Sequence, residues 1–293
     1  MFIATLIAKD SLNERDITAA LASLDASGAR VIRQSDIIDR RALDIFFDGD
    51  PVAARAQLEA IAGEVDIAVQ PAANRRKQLL ISDMDSTMIT IECIDELADY
   101  AGIKPQIAAI TERAMLGELD FEEALRGRVA LLKGLDSAAI QQCLDERVKI
   151  MPGAEQLVRT MAQGGAATIL VSGGFTKFAK PVAQAIGFES FHANVLGENG
   201  GHLTGELDGP IVDSKRKDEL LQSAAQAANL PLDLCVAVGD GANDIPMLQR
   251  AGLGIAYHAK PKAAQAADIA IRYNDLTALL YIQGISADQW VSK

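Results

Sequence analysis

The chain has 293 residues, 49% of them hydrophobic, and a formal net charge of −12. That length supports a large buried core and exceeds the usual single domain, so one large and one small unit are expected. The acidic balance argues against a nucleic-acid binder or a protein that coats anionic membranes, because either needs a basic face; a small anionic substrate remains open, held by a metal ion or a few Lys and Arg side chains.

Residues 1–75 read as a small α+β unit. FIATLIA predicts a strand, and LNERDITAALASL a helix with Leu12, Ile17, Leu21 and Leu24 on its apolar side. ARVIRQSDIIDRRALDIFFDG holds two strand-like pieces. DPVAARAQLEAIAG predicts a helix capped by Asp50, with Pro51 at its first position. DIAVQP closes the unit. The order is β-α-β-β-α-β, a ferredoxin-like arrangement, and PAANRR, residues 71–76, reads as a linker. The first residues carry no basic n-region and no small-residue cleavage site, so no secretory leader is expected.

From about residue 77 the pattern changes. KQLLIS, ATILVS and LCVAVG are short continuous apolar runs interleaved with helices, which predicts a parallel sheet buried on both faces. Between the first two lies a mostly helical stretch, 91–150, far longer than an ordinary connection. It is expected to form a cap over the strand ends, with 76–90 and 151–293 making the core. FHANVLGENGGHLTGELDG predicts a hairpin turning at Asn199-Gly200-Gly201. The cysteines, Cys93, Cys143 and Cys235, match no paired spacing and read as free thiols in a reducing compartment. No apolar run is long enough to span a bilayer, so a soluble, cytoplasmic protein is expected.

In such a sheet the ligand crevice lies outside the carboxyl ends of the strands. The first strand delivers Asp83 and Asp85 in LLISDMDSTMIT. Two positions apart on a strand, both carboxylates would face one side. A divalent cation would relieve their repulsion, and a carboxylate there could act as a nucleophile. The second strand ends in Ser172-Gly173-Gly174 before a helix, a turn whose backbone can approach an anion closely. The third ends in GDGAND, where Asp240 is a further carboxylate for the metal, and Asn243 and Asp244 follow. Lys215, Arg216 and Lys217 occupy the first turn of a helix, an unfavourable place for cations unless an anion is near. One of the lysines could hold a phosphoryl oxygen.

DMDST, SGG, Lys217 and GDGAND together resemble the four motifs of the haloacid dehalogenase superfamily, over about residues 78–285. Glu92 in ITIECIDELA and Arg128 in FEEALRGRVALLKGL resemble the cap signatures of its branch that hydrolyses phosphoserine. The resemblance implies a Rossmann-like core with a helical cap and an N-terminal ACT-like unit. It also implies Mg2+ dependence, with Asp83, the Asp85 carbonyl and Asp240 as ligands. Asp83 would be the nucleophile and Asp85 the acid and base. Ser172, Gly173 and Lys217 would hold the phosphate, Asn243 the substrate or phosphate site, and Asp244 would steady Lys217. Glu92 would take the ammonium of O-phosphoserine and Arg128 its carboxylate. Met115 and Phe121 could form an apolar wall. Other small phosphates (phosphohomoserine, phosphoethanolamine, a sugar phosphate) stay open, as does a non-catalytic sensor, although a relic would be expected to have lost one of Asp83, Asp85, Lys217 or Asp240. The N-terminal unit lacks the glycine expected after the first strand of a ligand-binding ACT domain. A homo-oligomer is compatible with the sequence.

Overall fold

The computed structural model describes residues 1–36, 38–61, 63–115 and 118–291. Its N-terminal part runs β1 (Phe2–Ala8), α1 (Glu14–Ala26), β2 (Arg30–Gln34), β3 (Ala42–Asp48), α2 (Pro51–Ile61) and β4 (Val65–Pro71). Asn13 caps α1, accepting from the amides of Arg15 and Asp16, while Asp16 returns a bond to the Asn13 amide. Asp50 accepts from the Val52 amide at the start of α2. These caps satisfy donors that a helix start otherwise leaves unpaired. The antiparallel sheet has the order β2-β3-β1-β4, the ferredoxin-like arrangement expected. Ala20, Leu24, Ala54 and Leu58 of the helices pack on Leu6, Ile45 and Phe47 of one sheet face.

The second sheet is built from β5 (Leu79–Ser82), followed by α3 (Cys93–Tyr100), α4 (Lys104–Met115), α5 (Phe121–Leu131), α6 (Ala138–Glu146) and α7 (Ala154–Gln163). The chain continues through β6 (Ala167–Phe175), α8 (Thr176–Ile186), β7 (Ser190–Asn199), β8 (His202–Asp208) and α9 (Ser214–Ala227). It ends with β9 (Cys235–Gly239), α10 (Ile245–Arg250), β10 (Leu253–Tyr257), α11 (Pro261–Ala266), β11 (Ile269–Ile271) and α12 (Ala278–Ile282). The strand order is β11-β10-β9-β5-β6-β7-β8, parallel except for β8. Both β5 and β9 are buried along their whole length, which explains why their sequences lack alternation. β5 lies between β9 and β6, so the connections diverge at its carboxyl end and open a crevice there.

The cap helices α3 to α6 leave and rejoin the core beside β5, where Ile89 and Ile150 form a bridge. The β7–β8 hairpin turns at Gly200 and Gly201, both in the left-handed region that glycine tolerates. No described helix is long and apolar enough to cross a membrane. All three cysteines are buried and free.

The two sheets are joined by buried polar contacts. Arg75 Nη1 and Nη2 donate to both oxygens of Asp44, at 2.6 and 2.7 Å, and its other donors reach the carbonyls of Tyr281 and Ile282. Asp66 accepts from the backbone amides of Arg272, Tyr273 and Asn274.

Candidate active site

β5 ends at Ser82, one residue before the first aspartate. The Asp83 amide still donates to the Val238 carbonyl of β9, which fixes Asp83 at the crevice mouth. Asp85 lies beyond, in a turn where the Met88 amide bonds back to the Met84 carbonyl and Ser86 takes a left-handed φ of 55°. The strand ends before either aspartate, so this turn rather than strand alternation places Asp85. The two carboxylates still act on each other, the charge of Asp85 adding to the upward push on Asp83.

Opposite Asp83 stands α9. Asp213 caps it, accepting from the Arg216 amide. Lys215 is exposed and Arg216 pairs with Glu219, so of the three cations only Lys217 turns inward. Its ammonium is fully buried and donates to Asp83 Oδ1 and Asp244 Oδ1, each at 2.7 Å. Burial opposes its charge, but the carboxylates of Asp244 and Asp83 outweigh that and hold its pKa above the ordinary lysine value. Burial, then the Asp244 charge, push Asp83 up well above the carboxylate range, with Lys217 acting against both. Asp244 uses its other oxygen to accept from the amides of Asp240 and Gly241, which locks the turn after β9.

Asp83, Asp240 and Asp244 each offer a carboxylate oxygen, all within 4.8 Å of one another. One buried ammonium faces these three carboxylates. Burial raises the pKa of Asp240 to about 6. The oxygens of Asp244 are occupied by Lys217 and two amides, so the free acceptor capacity belongs to Asp83 and Asp240. An all-oxygen, charge-rich donor set of this kind fits a hard divalent cation such as Mg2+. Asp85 is outside the cluster. Its Oδ1 accepts from the Cys93 amide at 3.3 Å, and burial, then the charge of Glu92, push its pKa up to about 7.

β6 differs from the expected turn. It extends through Ser172, Gly173 and Gly174 to Phe175, and α8 starts only at Thr176. Its register with β7 breaks between Val171 and Phe175, so the glycine stretch leaves the ladder and re-pairs beyond it. Ser172, Gly173 and Gly174 thus lie in a bulged strand rather than in a turn at a helix N-terminus. Ser172 Oγ accepts from the Gly174 amide, and Asn194 links the Gly173 carbonyl to the Val212 amide. A side chain at Gly174 would place its Cβ 2.8 Å from Asp85 Oδ2, so the missing Cβ makes room for that carboxylate.

The start of α5 reaches the glycine stretch of β6. The Phe121 ring lies over Gly173, where an added Cβ would meet Cζ at 3.4 Å. Glu92, at the start of α3, accepts from Ser86 Oγ at 2.8 Å. Arg128 on α5 is half-buried, its Nε donates to the Ala124 carbonyl, and no carboxylate among the described residues lies within salt-bridge distance. Burial lowers its pKa, opposed by the charges of Asp95 and Glu92. Asn243 sits half-buried in the turn after β9. The Met115 side chain lies outside the described residues.

Sequence reasoning passed over Ser86, Asn194 and Lys260. Lys260 sits 3.5 Å from Asp240 Oδ2. Ser86 stands inside the quoted DMDST, so its hydroxyl was available as a signal. Asn194 and Lys260 act across the fold and carry no local pattern.

The family model of haloacid dehalogenase-like hydrolases matches residues 80–249. A phosphoserine phosphatase of Streptomyces coelicolor is 42% identical over 242 residues, which is 82% of this chain and 59% of that protein. One of Archaeoglobus fulgidus is 39% identical over 243 residues, 82% of this chain and 70% of that protein. The crystal structure of a probable phosphoserine phosphatase from Vibrio cholerae, in unliganded form, superposes with a TM-score of 0.78 at 33% identity, covering 97% of this chain and 86% of that one.

Proposed function

This chain belongs to the haloacid dehalogenase-like hydrolase family, and on that premise we propose that it is a Mg2+-dependent phosphatase that hydrolyses O-phospho-L-serine to serine and phosphate. The observation that carries this reading is the carboxylate cluster of Asp83, Asp240 and Asp244 with Lys217 clamped between two of its members. Asp83 and Asp240, with the Asp85 backbone carbonyl, would hold the metal, which supplies charge neutralisation between an anionic nucleophile and an anionic ester.

Asp83 attacks phosphorus and forms an aspartyl-phosphate, breaking the P–O bond to the serine oxygen. Asp85 gives that oxygen its proton. It then takes one from the water that attacks the aspartyl-phosphate. A carboxyl whose pKa is about 7 can serve in both directions near neutrality. Ser172, the Gly173 amide and Lys217 hold the equatorial oxygens as charge redistributes, and Asn243 orients the phosphate end. Glu92 receives the ammonium of the substrate and Arg128 its carboxylate. The half-buried guanidinium, without a carboxylate partner among the described residues, supports this assignment. Residues 1–75 form one unit in this reading, 76–90 with 151–293 the catalytic core, and 91–150 the cap.

The test is phosphate release from O-phosphoserine, phosphoethanolamine, phosphohomoserine and a sugar phosphate, with Mg2+ and with a chelator. O-phosphoserine should be turned over fastest, and the chelator should stop all release. Release that persists in chelator overturns the metal assignment. Equal rates across the panel overturn the roles of Glu92 and Arg128.

A further inference from the structure

The countercharges of the crevice are unevenly shared. Lys217 serves Asp83 and Asp244. Asp240 has a different cation, Lys260, whose ammonium is 3.5 Å from its Oδ2. Lys260 is the only cationic side chain within salt-bridge distance of Asp240 among the described residues.

The backbone of Lys260 is held firmly. Its amide donates to the Asp240 carbonyl at 2.9 Å. Two residues earlier, His258 takes a left-handed φ of 43°, its amide donates to the Ile271 carbonyl, and its Nε2 lies 2.9 Å from the Asn274 carbonyl. A non-glycine residue keeps such a φ only where its surroundings enforce it. The side chain is the opposite, with 70% of its surface exposed. A pinned backbone thus carries a free cationic arm whose tip rests on Asp240, one of the two carboxylates with spare acceptor capacity. Glu92 is the next acid whose charge reaches that arm.

We propose that Lys260 is a positioning residue that holds the Asp240 carboxylate in the metal-free protein and releases it to the incoming divalent cation. Cation binding then competes with this ion pair. The inference rests on the metal assignment above. It adds that Lys260 sets the affinity of the site: the arm must swing away from Asp240 for the cation to bind, and its charge repels the cation until it does.

The experiment is a Mn2+ titration of the full chain, following the signal of free Mn2+ by electron paramagnetic resonance, with no substrate present. At low ionic strength Lys260→Met should bind Mn2+ about threefold to tenfold more tightly than the parent, the size of one nearby unit charge in water-like surroundings. At about 0.5 M potassium chloride the difference should shrink below about twofold, because salt screens an exposed charge. Lys260→Arg, which keeps the charge, should bind as the parent does. Equal or weaker binding by Lys260→Met overturns the proposal, and so does a difference that salt leaves unchanged. Asp240→Asn separates the two ideas. If it binds Mn2+ like the parent, the metal assignment falls and the role of Lys260 falls with it. If it loses binding while Lys260→Met matches the parent, only the role of Lys260 is refuted.

Discussion

Two groups of buried carboxylates in this molecule are treated in opposite ways. At the junction of the sheets, Asp44 receives both arms of Arg75 and the Thr5 hydroxyl, while Asp66 receives three successive backbone amides and the Asn274 side chain. Every charge there has a full set of partners. At the crevice, three carboxylates face one buried ammonium, Asp85 accepts a long bond from the Cys93 amide, and the pKa values of Asp85 and Asp240 rise to about 7 and about 6. Buried charge is costly unless paired and hydrogen-bonded. The junction meets that condition within the protein. The crevice does not, and under the proposed function a divalent cation and a phosphate would meet the remainder.

The contrast can be broken most severely at Asp83. Asp83→Asn should lower phosphate release by about 10⁴-fold or more, the scale of removing a nucleophile. The circular dichroism spectrum should be unchanged. A variant retaining a tenth of the activity would remove the nucleophile from the argument. Next comes the cap. Arg128→Ala should reduce kcat/KM for O-phosphoserine by about 10²-fold, since it removes a charge-assisted fork from a substrate carboxylate. It should leave p-nitrophenyl phosphate nearly untouched, and comparable losses on both would show that Arg128 supports the cap rather than reads the substrate.

The junction should respond in stability alone. Asp44→Ala leaves Arg75, only 16% exposed, without its carboxylate and should destabilise the fold by about 3 kcal/mol in denaturant titration. Its kcat should hold at temperatures well below unfolding. A large loss of kcat without loss of stability would mean that the junction acts on the chemistry.

The smallest effect is a pH signature. The Asp85 carboxyl has an ordinary value of 3.8 when unfolded and about 7 in the folded chain, raised by burial first and by Glu92 second. The stability contributed by its neutral form is fully present below the unfolded value and is lost as pH rises through about 7. Asparagine is neutral throughout. In metal-free protein the melting temperature of Asp85→Asn should therefore gain on the parent by a few degrees between about pH 5.5 and about pH 8. A constant difference over that range would mean that Asp85 does not titrate there.

Much of this architecture was legible in the chain. Continuous apolar runs ending in Asp83, Ser172 and Asp240 announced buried parallel strands with polar groups at one end, because strand burial writes itself into consecutive residues. Asp50 and Pro51, and Gly200 and Gly201, marked a helix start and a hairpin turn through backbone preferences that act within a few residues. Two local expectations failed where tertiary contacts override short-range pattern. The strand carrying Asp83 stops before it, and the SGG stretch is a bulged strand held by Asn194, a residue of the neighbouring strand.

Taken alone, the order of residues determined which side chains would stand at strand ends, since periodicity and backbone preference are properties of short windows. Only the folded chain decided which of those side chains share charge. Lys217 rather than Lys215 or Arg216 turns inward, Lys260 rests on Asp240, and Ser86 holds Glu92. Electrostatic energy depends on distance through space, and residues 83, 217, 240 and 244 become neighbours only when β5, α9 and β9 pack together.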